Sequence, residues 1–203
     1  EGGIGKTFLL RSILEKVRTR TLNLGSVRVS SDLVDFYDTS THALEGLTRA
    51  IRDTLGYEGF EAYGEALEDF VEKKYDLQGQ PQAINQLRRA LGETFLKDLT
   101  ALASSTDHVI IAFDTAERLF ESEFEQPGLS YAIEARVWLR DVFLPRVEAI
   151  DNVSILIAGR PASRSFLDEI QEQLDSEAVW DIQLGSLDVD AVREYIKVVA
   201  EPQ

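Results

Sequence analysis

The stretch Glu1-Gly-Gly-Ile-Gly-Lys-Thr7, continued by Phe8-Leu-Leu-Arg-Ser-Ile-Leu14, decides how the rest of the chain is interpreted. Glycines crowd ahead of a lysine and a threonine, and apolar residues then recur at the spacing of one helix face. This is the end of the phosphate-loop pattern G-x-x-x-x-G-K-[ST], in which backbone N–H groups turn onto phosphates where a Cβ would obstruct them. The first glycine of the pattern would stand just before Glu1.

The loop residues have separate expected tasks. We expect the Lys6 ammonium to reach the β- and γ-phosphates and the Thr7 hydroxyl to complete the coordination of Mg²⁺. The positive end of the following helix favours the anion. The predicted nucleotide-binding residues are Gly2, Gly3, Ile4, Gly5, Lys6 and Thr7. A chance cluster of glycines ahead of a helix is the alternative.

Composition limits the classes of protein to consider. The 203 residues, of which 44% are hydrophobic, favour one domain over 1–203. No apolar run approaches the roughly 18 residues of a membrane span, and no secretory leader is visible. The absence of cysteine excludes a disulfide framework and fits a reducing, cytoplasmic location. The chain also lacks methionine, so we expect a segment of a longer protein.

The acidic charge bears on possible partners. There are 36 Asp and Glu against 21 Lys and Arg, which gives a formal net charge of -15. A nucleic acid or an anionic membrane would have to be met by a local basic patch against that field. The charge therefore disfavours both as the main ligand of this segment.

Strand-like and helix-like stretches alternate along the chain. Two continuous apolar runs, 108–113 and 153–158, are typical of parallel strands buried on both faces. Further strands are predicted within 27–37 and, more weakly, at 179–184. Helices are predicted after the glycine loop and at about 44–55, 60–77, 82–103, 131–149, 164–175 and 188–199, the second of them capped by the cluster 38–41. The alternation predicts an α/β fold with ligands at the carboxyl ends of the strands.

Polar residues follow the two apolar runs. Asp114 ends the first run, where a carboxylate beside a phosphate loop could hold Mg²⁺ through water. The alternative is that Asp114 caps the next helix, with Glu117 closing a capping box. Arg160 follows the second run, where it could touch the γ-phosphate; a surface arginine before a proline turn is the alternative.

The order GGIGKT, VDFYDT, VIIAFDTAER and ILIAGRP resembles the nucleotide-binding core of STAND NTPases, signal-transduction ATPases related to AAA+ proteins and to NACHT and NB-ARC switches. The resemblance implies a P-loop three-layer sandwich, a parallel sheet between helices, whose first strand precedes this segment. It implies that Asp114 and Thr7 serve the metal, that Arg160 senses phosphate and that Glu117 polarises the attacking water. Asp35 and Asp38 recur in such relatives without a role that we can assign.

The resemblance also implies a function: an ATP/ADP-controlled, Mg²⁺-dependent ATPase switch, with some relatives active in antiviral defence. Sensor and effector domains would lie outside this segment, a homo-oligomer would form through the full-length protein, and a helical lid would begin at about 185–203. Two alternatives stay open. One is a nucleotide-binding scaffold module that hydrolyses nothing, and the other is an AAA+ ATPase acting on nucleic acid.

Overall fold

The computed structural model describes residues 5–19, 26–119, 135–160, 164–175 and 177–184. Its elements in chain order are α1 (Lys6–Arg18), β1 (Val27–Val29), β2 (Val34–Asp35), a 3-10 turn (Thr39–His42), α2 (Leu44–Leu55), α3 (Glu61–Asp76), α4 (Pro81–Ser105), β3 (His108–Asp114), a second 3-10 turn (Ala116–Leu119), a π-helical turn (Leu139–Phe143), α5 (Leu144–Glu148), β4 (Val153–Ile157) and α6 (Arg164–Gln173). The expected lid at 185–203, the helix at 188–199 and the start of the helix at 131 lie outside the described residues.

The strands form a parallel sheet with β3 at its centre. One edge of β3 pairs with β4 from Val109 to Phe113. The other edge pairs first with β1, at His108 to Ile110, and then with β2, at Phe113 and Asp114. Because β4 already occupies one edge over this whole length, β1 and β2 must lie end to end along the other. The predicted stretch 27–37 is therefore two short strands on one line of the sheet.

Alternate residues of β3 contact different helices. Val109, Ile111 and Phe113 belong to a large apolar core shared with α2, α3 and α4, whereas Ile110 and Ala112 pack with α1. All five side chains are 7% exposed or less. Burial on both faces explains why this strand is a continuous apolar run rather than an alternating one. The fold is thus confirmed as mixed α/β, with a parallel sheet flanked by helices.

The helix that precedes β4 contains a local irregularity with a clear cause. Residues 135–138 are α-helical, the π-helical turn follows, and α5 completes the helix without a break. The N–H of Leu144 bonds to the carbonyl of Leu139, five residues back. Pro145 has no N–H to donate, so a regular α-helix would lack a hydrogen bond at this position. The wider π-helical turn accommodates the proline.

Two sequence expectations are wrong in detail. The polar cluster 38–41 does not cap α2: the Asp38 side chain accepts from the Ser40 N–H and begins the first 3-10 turn, while Ala43 stands at the α2 start. The segment 179–184 has no strand structure, because it meets no partner strand among the described residues, and its Trp180 and Ile182 are exposed.

The helices also bear on the membrane question. Among the described residues, no helix has both the length and the apolar character that a membrane crossing requires. The longest helix in the described parts of the chain, α4, buries one apolar side and carries several charged residues on its exposed side.

Candidate functional site

The candidate site lies where the strands end. β2 ends at Asp35 and β3 at Asp114, and these two residues are in register as neighbours. The backbone pairing of β3 with the β4 side continues beyond the strand, because the Ala116 N–H donates to the Ala158 carbonyl at 3.0 Å. Carboxyl ends of parallel strands are the usual location of ligand sites in α/β sheets.

A hydrogen bond joins the glycine loop to this edge. The Thr7 hydroxyl, in the first turn of α1, donates to Oδ2 of Asp114 at 2.5 Å. Asp114 is 6% exposed, and its Oδ1 accepts the N–H of Thr115 at 2.9 Å. Alternation along β3 turns Asp114 toward the same face as Ile110 and Ala112, which is the α1 face. The structure thus brings together the two residues predicted to serve a metal, which are 107 positions apart.

The start of α1 has the features of an anion site. Gly5 adopts φ 78°, a left-handed conformation that a residue with a Cβ rarely tolerates. The first turn of α1 contains no acidic residue, and Lys6 forms no ion pair with any residue that the structure describes. A cation at the positive end of a helix opposes the helix dipole unless an anion lies there too. Gly2, Gly3 and Ile4 lie outside the described residues.

The other two predicted catalytic residues contact each other. Oε2 of Glu117 accepts the backbone N–H of Arg160 at 3.0 Å, and Oε1 lies 3.1 Å from the Arg160 Nε. The Glu117 side chain is 6% exposed, whereas that of Arg160 is 57% exposed. The ion pair therefore has a buried carboxylate and a guanidinium that reaches solvent.

The capping-box interpretation is not what the structure shows. Glu117 lies in the second 3-10 turn, and its carboxylate oxygens bond to Arg160 rather than to the amide of Asp114. Between the two acids, Thr115 has φ 59° and is the one non-glycine residue with a positive φ in the described parts of the chain. For a β-branched residue this conformation is strained, at a cost on the order of 1–3 kcal/mol. Such strain is concentrated at functional sites.

Sequence reasoning missed the neighbours of this edge. The guanidinium of Arg118 lies 5.0 Å from the centre of the exposed Tyr37 ring, which joins the turn after β2 to the turn after β3. Asp35 accepts the N–H of Tyr37 at 2.9 Å. Asp35 and Asp38 therefore both shape the turns after β2. The Asp-x-x-Asp spacing within DFYD was the available signal, since aspartates commonly accept backbone N–H groups two residues on.

The donor set at this edge suits a hard cation. A threonine hydroxyl and a carboxylate are oxygen ligands, the type that Mg²⁺ takes, and Mg²⁺ usually keeps several waters and phosphate oxygens as well. No group of three His, Cys, Asp or Glu side chains converges anywhere in the described ranges. Thr7 and Asp114 therefore fit a metal that arrives with a phosphate, and they do not form a closed metal cage.

A separate cavity of about 530 Å³ lies between α2 and α3. Arg52, Tyr57, Phe60 and Leu67 are among its lining residues, and none of the residues at the strand edge takes part. This cavity is open, and the Arg52 guanidinium in its lining already bonds to Asp53 at 2.7 Å. The convergence of side chains at the strand edge is the stronger indication of a site.

Comparison of the chain with protein-family models, with curated proteins and with solved structures finds no match in any of the three. The functional argument therefore rests on the residues at the strand edge, and the resemblance to STAND NTPases stays a prediction.

Proposed function

We propose that this protein is an ATP-binding and ATP-hydrolysing switch, built on a P-loop three-layer sandwich. The observation that supports this most directly is the hydrogen bond between Thr7 and Asp114. A phosphate loop needs its terminal hydroxyl beside the strand-end carboxylate, because both serve the same cation. A chance glycine cluster before a helix would have no reason to place Thr7 there.

The nucleotide phosphates would lie at the start of α1. The left-handed Gly5, the Lys6 side chain and the helix N-terminus all favour a bound anion in the same place. Residues 2–7 would surround the β- and γ-phosphates. Adenine as the base follows from the resemblance alone.

Magnesium would bind at Thr7 and Asp114, with phosphate and water supplying its remaining ligands. When bound, it neutralises charge on the phosphate oxygens. The hydrogen bond between Thr7 and Asp114 holds their two oxygens close together. Glu117 would act as the base for the attacking water, and Arg160 would contact the γ-phosphate.

The resemblance extends the proposal beyond this segment. ATP and ADP would set two states of a homo-oligomerising signalling or defence protein of the cytoplasm, whose sensor and effector domains lie elsewhere. Nucleic acid is disfavoured as a ligand by the net charge of -15.

A second candidate function is a nucleotide-binding module without hydrolysis. One observation favours it: both carboxylate oxygens of Glu117 already have a hydrogen-bond donor or cation from Arg160. A base held in this way is poorly available to water. Measurement of phosphate release at saturating ATP separates the two functions, because only the switch turns over.

The proposed site is tested first through Lys6. Lys6→Ala removes a charge-assisted contact to phosphate, so ATP affinity should fall by about 10- to 150-fold, which corresponds to about 1.5–3 kcal/mol. Lys16→Ala is the matched control, because Lys16 lies on the same helix in its last turn. Calorimetric titration with ATP and Mg²⁺ gives both affinities. Equal affinities of the two variants would remove the phosphate-loop interpretation.

A further inference from the structure

The contact between Glu117 and Arg160 has two halves of different character. The backbone half is the bond from the Arg160 N–H to Oε2 of Glu117, and the side-chain half is the ion pair at Oε1. A base must accept a hydrogen bond from water, and here both carboxylate oxygens of Glu117 are held by Arg160. In this arrangement Glu117 is poorly available to water.

The backbone half is fixed by the sheet. The Ala158 N–H donates to the Phe113 carbonyl at 2.9 Å, and the Ala116 N–H donates to the Ala158 carbonyl at 3.0 Å. These bonds connect the residues just before Arg160 to the strand that ends just before Glu117. The Arg160 amide therefore remains beside Glu117 whatever its side chain does.

The side-chain half can be exchanged. The Arg160 side chain is 57% exposed, so water solvates its guanidinium and weakens this half of the contact relative to a fully buried pair. A phosphate oxygen is a strong competitor for a guanidinium, because it offers a charged acceptor of matching geometry. We therefore expect the guanidinium to change partner while the Arg160 N–H stays bonded to Glu117.

We propose that the Arg160–Glu117 ion pair is an autoinhibitory contact that the γ-phosphate of a nucleoside triphosphate opens. The Arg160 guanidinium leaves Oε1 of Glu117 for the γ-phosphate. Oε2 of Glu117 keeps its hydrogen bond from the Arg160 N–H, which holds the side chain in place, and Oε1 becomes available to water. A diphosphate lacks the competing group, so the ion pair stays closed. The inference rests on the proposed function, and it assigns Arg160 a second task as the positioning residue that withholds the base.

This contact has a thermodynamic consequence. The triphosphate has to break the ion pair, so its affinity is lowered by the strength of that pair, whereas diphosphate affinity is untouched. Glu117→Gln removes the carboxylate charge and should tighten binding of a non-hydrolysable ATP analogue by about two- to fivefold, a small factor because the arginine of the pair is already solvated. ADP affinity should not change.

A simpler effect could mimic this result, because loss of a negative charge also reduces repulsion of phosphate. The double-mutant cycle separates the two. Affinities of the analogue and of ADP are measured by calorimetry for wild type, Glu117→Gln, Arg160→Gln and the double variant. Under our proposal the gain from Glu117→Gln disappears in the Arg160→Gln background. Repulsion alone predicts the same gain in both backgrounds.

Glu45→Gln is the matched control, since Glu45 is also a buried glutamate paired with an arginine, on α2. It should alter neither affinity. No gain in Glu117→Gln, a gain shared by ADP, or a gain that persists without Arg160 each overturns the autoinhibitory contact while leaving nucleotide binding intact. If wild type binds neither nucleotide, the proposed function itself fails, and the inference falls with it.

Discussion

Two buried glutamates of this molecule each form an ion pair with an arginine, but in different surroundings. Glu45 is 7% exposed and Glu117 is 5% exposed, and each pairs with an arginine. The partner of Glu45 is Arg88, which is itself 5% exposed, and Lys74 adds a second cation at 2.8 Å. The partner of Glu117 has a side chain that is 57% exposed. We therefore expect that the exposed Arg160 can leave its glutamate without disturbing the core, whereas the buried Arg88 cannot.

The two glutamates also lie in different parts of the fold, Glu45 among the helices and Glu117 at the strand edge. Glu45 lies in the first turn of α2, where the helix dipole favours an acid, and its pair ties together α2, α3 and α4. Glu117 follows a strained Thr115 at the end of a strand and contacts a residue at the end of another. The Glu45–Arg88 pair stabilises the helical layer, whereas the Glu117–Arg160 pair lies at the strand edge, where we propose that nucleotide binds.

The largest expected difference between the two glutamates is in turnover. Glu117→Gln keeps the shape of the side chain but cannot take a proton, so phosphate release should fall by about 100- to 10,000-fold, the usual contribution of a general base. Glu45→Gln should turn over at the wild-type rate at a temperature where circular dichroism shows it folded. Phosphate release is measured at saturating ATP and Mg²⁺. A Glu117→Gln rate within about twofold of wild type would contradict the catalytic role.

The next difference is in stability, where the larger effect is expected for the Glu45–Arg88 pair rather than for the Glu117–Arg160 pair. Arg88→Met leaves a buried carboxylate with only Lys74, so the free energy of unfolding should fall by about 3–5 kcal/mol. Arg160→Met removes a guanidinium that is largely solvated and keeps the backbone N–H that donates to Glu117, so it should cost less, about 1 kcal/mol. Urea denaturation measures both.

A double variant sharpens this stability comparison. Glu45→Met together with Arg88→Met removes both buried charges, and the loss should then be smaller than with Arg88→Met alone. Similar losses for Arg88→Met and Arg160→Met would mean that exposure of the arginine does not distinguish the pairs.

Much of the fold was predictable because the pattern of apolar residues indicates which faces are buried. Every residue from Val109 to Phe113 is apolar, as expected for a strand whose two faces are both covered. The segment 179–184 shows the limit of this reasoning. Its residues favour a strand, but a strand also needs a neighbour with which to bond, and sequence pattern does not reveal one.

The candidate site was predictable in part for similar reasons. A loop before a helix and a carboxylate after a buried strand meet at one edge of a parallel sheet, so the proximity of Thr7 and Asp114 follows from topology. The pairing of Glu117 with Arg160 does not follow, because the sequence assigns Glu117 to the attacking water and Arg160 to the γ-phosphate, and 43 positions separate them. The left-handed Thr115 was also hidden, since β-branched residues disfavour that conformation.

The smallest expected difference is in acid stability. Burial alone would raise the pKa of Glu45, but hydrogen bonds from Lys74 and Arg88 outweigh it and lower the pKa below the ordinary value of 4.5. A carboxyl group whose pKa is lower in the folded than in the unfolded protein contributes stability that is fully present above the unfolded pKa. That contribution is lost as the pH falls through the folded pKa.

Wild type should therefore lose stability below pH 4.5 more steeply than Glu45→Gln, by up to about 1.4 kcal/mol per pH unit. Lys74→Met should show an intermediate slope, because it removes one of the two groups that lower the pKa. Lys73→Met is the matched control: Lys73 bonds to the exposed Asp69 instead, so its slope should equal that of wild type. Urea denaturation from about pH 7 down to about pH 3 gives the slopes. If Glu45→Gln and wild type run parallel below pH 4.5, Lys74 and Arg88 do not hold Glu45 charged in the folded protein.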